Sequence, residues 1–255
     1  MGRPKPNETV PHIRGPEDFA AVFDVSRETL ARLETYEGLL RQWQKAVNLV
    51  APATLDDVWH RHFADSAQLL HLAPQGAHHW IDLGSGGGFP GLVIAILLAD
   101  PHARAGSGTP NPLPESGERG QVVGPAASTS RVTLIESDTR KAAFLREAAR
   151  HTAIPAGVAV DILSTRAESA RIKVNGSLPR VICARALAPL DRLLELAAPL
   201  SPPGTTGLYL KGKTAAQELR AAEKMWNFDV ELVPSVTDRD GRIAVITRLE
   251  RKAKD

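Results

Sequence analysis

Apolar residues recur at helical spacing in the first part of the chain, then give way to short apolar runs separated by glycine-rich turns. Pro16 suits the first turn of a short helix reaching Phe23. Ser26 suits the N-cap of a longer helix, with Glu28 in its first turn. Leu33, Tyr36, Leu40, Trp43 and Val47 come after it at steps of three and four, which gives that helix one apolar face. Thr54, with Asp57 three residues on, reads as a capping box for a helix over 59–71 that stops before Pro74. Residues 16–76 are therefore predicted as an N-terminal helical extension. It is too small for a core of its own and must pack against the remainder of the chain. Residues 1–15, polar and Pro-rich, are predicted as a flexible tail.

From residue 78 the period changes. Apolar runs at 79–83, 132–136, 158–163, 181–184 and 206–211 predict strands. Helical patterns at 91–99, 140–150, 189–198 and 215–225 fall between them, with Ala143, Phe144 and Leu145 expected to face inward. Strands alternating with helices predict a parallel sheet covered on both faces. Two last strands, 228–233 and 242–249, have a short Pro/Asp/Gly connection that suits an antiparallel hairpin at the sheet edge. The predicted fold over 77–255 is α/β and Rossmann-like, a mostly parallel seven-stranded sheet. Residues 104–130 interrupt it. They carry Gly106, Gly108, Gly117, Gly120 and Gly124 with Pro110, Pro112, Pro114 and Pro125, show no period, and are expected to be a disordered insertion.

Composition narrows the function classes. The 255 residues are 43% hydrophobic and 24% charged, the balance of a soluble globular chain. The net charge of +2 lacks the excess of a protein that lives on phosphate, so any nucleic-acid contact must use a local patch. Cys183 is the single cysteine, which excludes an internal disulfide, and its apolar surroundings suit a buried thiol. The longest apolar run, 92–99, is too short to span a bilayer, and the first ten residues lack a signal-peptide core. No membrane association is expected, and the cytoplasm is the expected compartment. His60 and His62 lie two apart on a helix, and His78 and His79 are adjacent on a strand. Neither spacing suits a metal, and no metal is expected. Trp43 and Trp59 read as core residues, with base stacking as the alternative.

The chemistry concentrates in Trp80-Ile81-Asp82-Leu83-Gly84-Ser85-Gly86-Gly87-Gly88-Phe89-Pro90-Gly91. A glycine turn between a strand and a helix lets the backbone approach a ligand and presents free N–H groups to it. Gly86, Gly88 and Gly91 fit the dinucleotide fingerprint, so a nicotinamide-dependent oxidoreductase stays open on pattern alone. Asp82 tilts the choice. A carboxylate there repels pyrophosphate but suits the ammonium of S-adenosylmethionine, which carries no phosphate. Glu136, ending the next strand, lies where a carboxylate accepts from ribose hydroxyls.

Further blocks surround this loop. They are Trp43-Gln44-Lys45-Ala46-Val47-Asn48-Leu49, Arg61-His62-Phe63-Ala64-Asp65-Ser66, Glu136-Ser137 with Arg140-Lys141 and Phe144-Leu145, Arg166-Ala167-Glu168, Arg185-Ala186 and Lys211-Gly212-Lys213. In order and spacing they resemble the bacterial small-subunit ribosomal RNA guanine-N7 methyltransferases, the glucose-inhibited division protein B family. The resemblance runs from Leu30 to Leu249 outside the insertion. It implies a class I methyltransferase fold, S-adenosylmethionine as cofactor, and methylation of guanine 527 of 16S ribosomal RNA, either bare or in the small subunit. It implies cofactor contacts at Gly84, Phe89, Ala167, Glu168 and Arg185, to which the loop adds Gly86 and Glu136. Glu136 departs from the Asp of many relatives, and the 104–130 insertion is a larger departure.

Guanine N7 carries a lone pair and no proton, so attack on a sulfonium methyl requires no general base. No acid–base residue is assigned. Arg61, Lys141, Arg185 and Lys211 are the candidate RNA contacts, with Arg140 and Lys213 beside them. A monomer is expected. Two other functions remain open: a non-catalytic RNA-binding module that kept the sheet, and a methyltransferase for another RNA, a protein or a small molecule.

Overall fold

The computed structural model describes residues 11–100, 102–103, 130–172 and 180–253. The expected tail over 1–10 and the expected disorder over 104–129 lie outside the described residues. Residues 11–15 depart from the flexible tail. Ile13 is buried in the core, and its N–H donates to His60 Nδ1 at 3.3 Å.

Helix α1 spans Pro16–Phe23 and α2 spans Arg27–Gln44. Ser26 caps α2 by accepting from the Thr29 N–H. Asp100 holds that cap in place, accepting from the Ser26 N–H at 2.7 Å and hydroxyl at 2.9 Å. Thr29, Leu33, Tyr36 and Leu40 form the buried face of α2. Val47 is also buried, but it lies beyond the helix end. The next helical segment differs from expectation. It opens as a π-helix over Trp59–Ala64, makes one α turn over Asp65–Ala67 (α3) and tightens to a 3-10 helix over Gln68–Leu72. Thr54 does not cap it. Its hydroxyl donates to Ala51 O within the turn Pro52–Thr54.

The sheet strands are β1 (His79–Leu83), β2 (Arg131–Glu136), β3 (Ala159–Ser164), β4 (Arg180–Arg185), β5 (Thr205–Lys211), β6 (Trp226–Pro234) and β7 (Arg242–Arg251). Their order is β3-β2-β1-β4-β5-β7-β6. β1 to β5 pair in parallel, and β7 is antiparallel to both β5 and β6. This is the seven-stranded Rossmann-like sheet with an antiparallel edge hairpin. From β1 the chain builds the sheet outward on one side, and from β4 it builds outward on the other. The crevice at the C-terminal ends of these two neighbours is where such sheets bind ligands.

Helix α4 is Gly91–Leu98, α5 is Thr139–His151, α6 is Leu190–Ala197 and α7 is Ala215–Ala222. Every residue of α4 is buried, because the sheet lies on one side and the N-terminal helices on the other. That explains a helix that is apolar all round. On α5 the inward residues are Ala142, Phe144 and Leu145, with Ala143 only half-buried. Two cores result. One joins the N-terminal helices, α4 and α5 to one sheet face, and the other joins α6 and the hairpin to the opposite face. No helix among the described residues is long and apolar enough to cross a membrane.

Candidate active site

The loop after β1 is a built turn. Gly88 N–H and Phe89 N–H both donate to Ser85 O, and Ser85 N–H donates to Ile135 O of β2. Gly84, Gly86 and Gly88 all have positive φ. At Gly88 the reason for glycine is twofold. Its φ is +94°, and an added Cβ would sit 2.4 Å from the Tyr36 hydroxyl and 3.1 Å from Leu92 Cβ. Tyr36, fully buried on α2, donates its hydroxyl to the carbonyl of Gly87. Its ring stacks with Phe63 at 5.3 Å and Phe89 at 5.4 Å. The N-terminal helices thus hold the loop from behind.

Asp82 differs from expectation. Its side chain is completely buried, and Oδ2 accepts from the Gly91 N–H at 3.1 Å. It therefore faces the start of α4 rather than the cavity. Burial raises its pKa to about 6, against the opposing bonds from Ser85 and Gly91. The alternation of a strand explains the direction: Asp82 shares a face with Trp80, towards the α4 side.

Glu136, which ends β2, closes the loop from the other side. Oε2 accepts from Gly86 N–H at 2.8 Å and Oε1 from Asp138 N–H at 2.7 Å. Asp138 then caps α5 by accepting from the N–H groups of Arg140 and Lys141.

A cavity of about 720 Å³ opens at the C-terminal ends of β1 to β4. Its lining brings together Arg61, Gly84, Gly86, Phe89, Glu136, Lys141, Ala167, Glu168 and Arg185. Leu49 and Val50, whose N–H groups both donate to the Gln44 side chain, line it too. Glu168 is half-exposed and pairs with Arg192 at 2.6 Å. Its own backbone N–H and that arginine hold its carboxyl below the usual range.

Lys211 is not brought to this cavity. Its side chain is 6% exposed, its Nζ donates to Ala188 O at 2.7 Å, and it pairs with Glu218 of α7 at 2.9 Å. The amine is satisfied inside the protein and is withdrawn from the candidate RNA contacts. Arg140 pairs with Asp138 at 3.6 Å.

Arg185 sits at the cavity mouth in a denser network than its strand-end position suggests. Nη1 donates to Arg61 O at 2.9 Å and lies 3.4 Å from Asp65 Oδ2. Nη2 lies 2.7 Å from His62 Nδ1, and the guanidinium sits 5.0 Å from the Phe89 ring centroid. Ala186, next along, has φ +52°, an unusual backbone for alanine at a ligand cavity. Sequence reasoning missed His62 and Asp65. Both lie in the Arg61–Ser66 block, but their partners are on β4 and in the β6–β7 connection, where Thr237 donates to Asp65 Oδ1 at 2.8 Å.

The sheet order, the glycine loop after β1, the carboxylate ending β2 and the cavity over the switch between β1 and β4 define a Rossmann-like methyltransferase domain. The particular family emerges from comparison with known proteins. The family model GidB, rRNA small subunit methyltransferase G, matches residues 29–104 and 121–243, and the chain belongs to that family. Relatives bear the same description, ribosomal RNA small subunit methyltransferase G. The protein of Parvibaculum lavamentivorans is 45% identical over 239 residues, covering 94% of this chain and 92% of the relative. That of Rhodospirillum centenum is 48% identical over 232 residues, covering 91% and 90%. That of a Methylorubrum extorquens strain is 45% identical over 229 residues, covering 89% and 92%.

Proposed function

We propose that this chain transfers a methyl group from S-adenosylmethionine to N7 of a guanine in 16S ribosomal RNA, guanine 527 in the family's numbering of its target. The observation that carries the proposal is a single cavity that holds both the loop–carboxylate set and the cations Arg61, Lys141 and Arg185.

The donor set fits the cofactor. Glycine backbone at 84 and 86 allows close approach of the amino-acid end. Glu136, its oxygens already oriented by two backbone N–H groups, has lone pairs left for ribose hydroxyls. Ala167 and Glu168 border the position past β3 where adenine would rest. When bound, the cofactor supplies an electrophilic methyl on a sulfonium.

The residues that remain must hold guanine N7 in line and keep water out. None has to remove a proton. His62, the imidazole in the cavity lining, suits that requirement. Burial, then the charges of Arg185 and Arg61, lowers its pKa to about 3, and both ring nitrogens are already bonded. A nucleophile with its own lone pair needs no base there.

The test is methyl transfer from labelled S-adenosylmethionine to small subunits and to bare 16S RNA, both from cells lacking the modification. Borohydride and aniline then cleave at N7-methylguanosine. The expected result is one new cleavage, at guanine 527. Label in neither substrate, or label without cleavage, overturns the proposal.

A further inference from the structure

Arg185 comes from the end of β4, yet most of what orients it comes from the N-terminal helices. Its guanidinium has five N–H donors and no acceptor. Two, on Nη1, are directed at Arg61 O and Asp65 Oδ2, at 2.9 and 3.4 Å. One, on Nη2, is directed at His62 Nδ1 at 2.7 Å. Nε–H and the second Nη2–H make no bond among the described residues.

The protonation of His62 is set by its partners. Arginine can only donate, so Nδ1 must be the bare acceptor nitrogen. Thr54 Oγ1, 2.8 Å from Nε2, already donates to Ala51 O at 2.8 Å. Its hydroxyl proton is spent there, so Nε2 carries the hydrogen and donates to Thr54. The ring is stacked on Phe89 at 4.8 Å, which fixes its plane. Phe89 also underlies the guanidinium.

We propose that His62 is a positioning residue for Arg185: the neutral Nε2–H imidazole fixes the guanidinium so that its two unbonded N–H donors face the target guanine's O6 or an adjacent phosphate. The inference rests on the reading of the cavity as the place where RNA meets the methyl donor. It gives the N-terminal segment a share in the site beyond supporting the loop. A protonated ring would offer Arg185 a donor and a second positive charge in place of an acceptor. The charged groups around the ring are Arg61 on its own element, Arg185 from β4 and the Asp65 carboxylate beyond it, and the two arginines oppose that protonation.

Two measurements test this. The first is a double-mutant cycle in kcat/KM on small subunits with His62→Leu and Arg185→Lys, the fold of each variant being checked by its melting curve. His62→Leu should lose about 100-fold, the scale of an ångström-sized misplacement. His62→Asn, whose Oδ1 takes the place of Nδ1, should recover most of that. In the Arg185→Lys background, His62→Leu should cost less than about threefold. Equal losses in both backgrounds overturn the proposal. The second is the nitrogen-15 imidazole spectrum of the full-length protein, with the His62 signal assigned by its loss in His62→Asn. The expected pattern is a bare Nδ1 and a protonated Nε2, unchanged from pH 8 to pH 5. An Nδ1–H tautomer, or titration near the ordinary histidine value, overturns the proposal. The spectrum decides this even if the wild type fails to methylate subunits, an outcome that would instead refute the substrate reading.

Discussion

The hydroxyl of Tyr36 on α2 donates to the carbonyl of Gly87, 51 residues later and inside the glycine loop. Phe89, two residues on from Gly87, stacks on the same ring. One buried phenol therefore ties the N-terminal helices to the glycine loop. Tyr36→Phe keeps the stacking and leaves a buried carbonyl unpaired, which costs about 1–3 kcal/mol. The expected outcome is that loss in urea unfolding, together with weaker S-adenosylmethionine binding by calorimetry. Tyr36→Ala also opens a cavity and should cost about 3–5 kcal/mol. Full stability in Tyr36→Phe would show that the loop stands without this bond.

Asp82 gives a pH signature. Its pKa in the folded protein is raised to about 6 from an ordinary 3.8, by burial. A raised pKa contributes stability that is fully present below 3.8 and lost as pH rises through about 6. Asp82→Asn removes the titration and keeps an acceptor for the Gly91 N–H. Relative to wild type, the variant should gain roughly 2 kcal/mol between pH 4 and pH 7.5. Urea titrations across that window check it. A difference that stays flat with pH would place the charge of Asp82 in contact with solvent.

What could be read in the sequence, and what could not, divides between repeating patterns and the direction of single side chains. The parallel strands were legible because burial on both faces makes them continuous apolar runs, as in Trp80–Leu83 and Val181–Ala184. That Gly84, Gly86 and Glu136 would meet at one cavity was legible because strand ends converge on one crevice. The roles of Asp82, Lys211 and His62 were not. Each depends on where a single side chain points, which no periodicity encodes: Asp82 turns to the Gly91 N–H at the start of α4, Lys211 to Ala188 O and Glu218, and His62 to Arg185 on β4. For His62 there is a further cause. The segment Trp59–Ala64 is a π-helix, so the α spacing used to assign its faces does not apply.

Charge at the cavity rim separates the candidate RNA contacts from a structural cation. Arg61, Lys141 and Arg166 line the cavity and have no ion pair among the described residues, whereas Lys211 is buried against Glu218. Each rim cation that reaches a phosphate adds about 0.7 to the slope of log affinity against log salt on single-stranded RNA. Replacing Arg61, Lys141 or Arg166 by Gln should each reduce that slope by about this amount and leave S-adenosylmethionine affinity unchanged. Lys211→Gln should leave the slope intact and lower the melting temperature instead. Filter binding of 16S RNA over a salt series reads the difference. A slope change at Lys211, or none at the other three, would move the RNA path elsewhere.

Glu136 tests the link between the loop and the cofactor. Both carboxylate oxygens accept backbone N–H bonds, from Gly86 at 2.8 Å and Asp138 at 2.7 Å. Gln matches Glu in shape, but its amide must point an NH2 at one of those N–H groups. That substitution removes a charge-assisted bond and opposes two donors, a cost of about 1–3 kcal/mol. Asp cannot span both N–H groups, because its side chain is one methylene shorter. Glu136→Gln should therefore weaken S-adenosylmethionine binding about tenfold or more and lower the unfolding midpoint of the free protein as well, since the Gly86 bond exists without ligand. Glu136→Asp should weaken binding less, because one anchor and the charge survive. Calorimetry with each variant, beside urea unfolding without cofactor, separates the contributions. If Glu136→Gln destabilises the free protein yet binds the cofactor as tightly as wild type, Glu136 serves the loop alone and the ribose is held by another group.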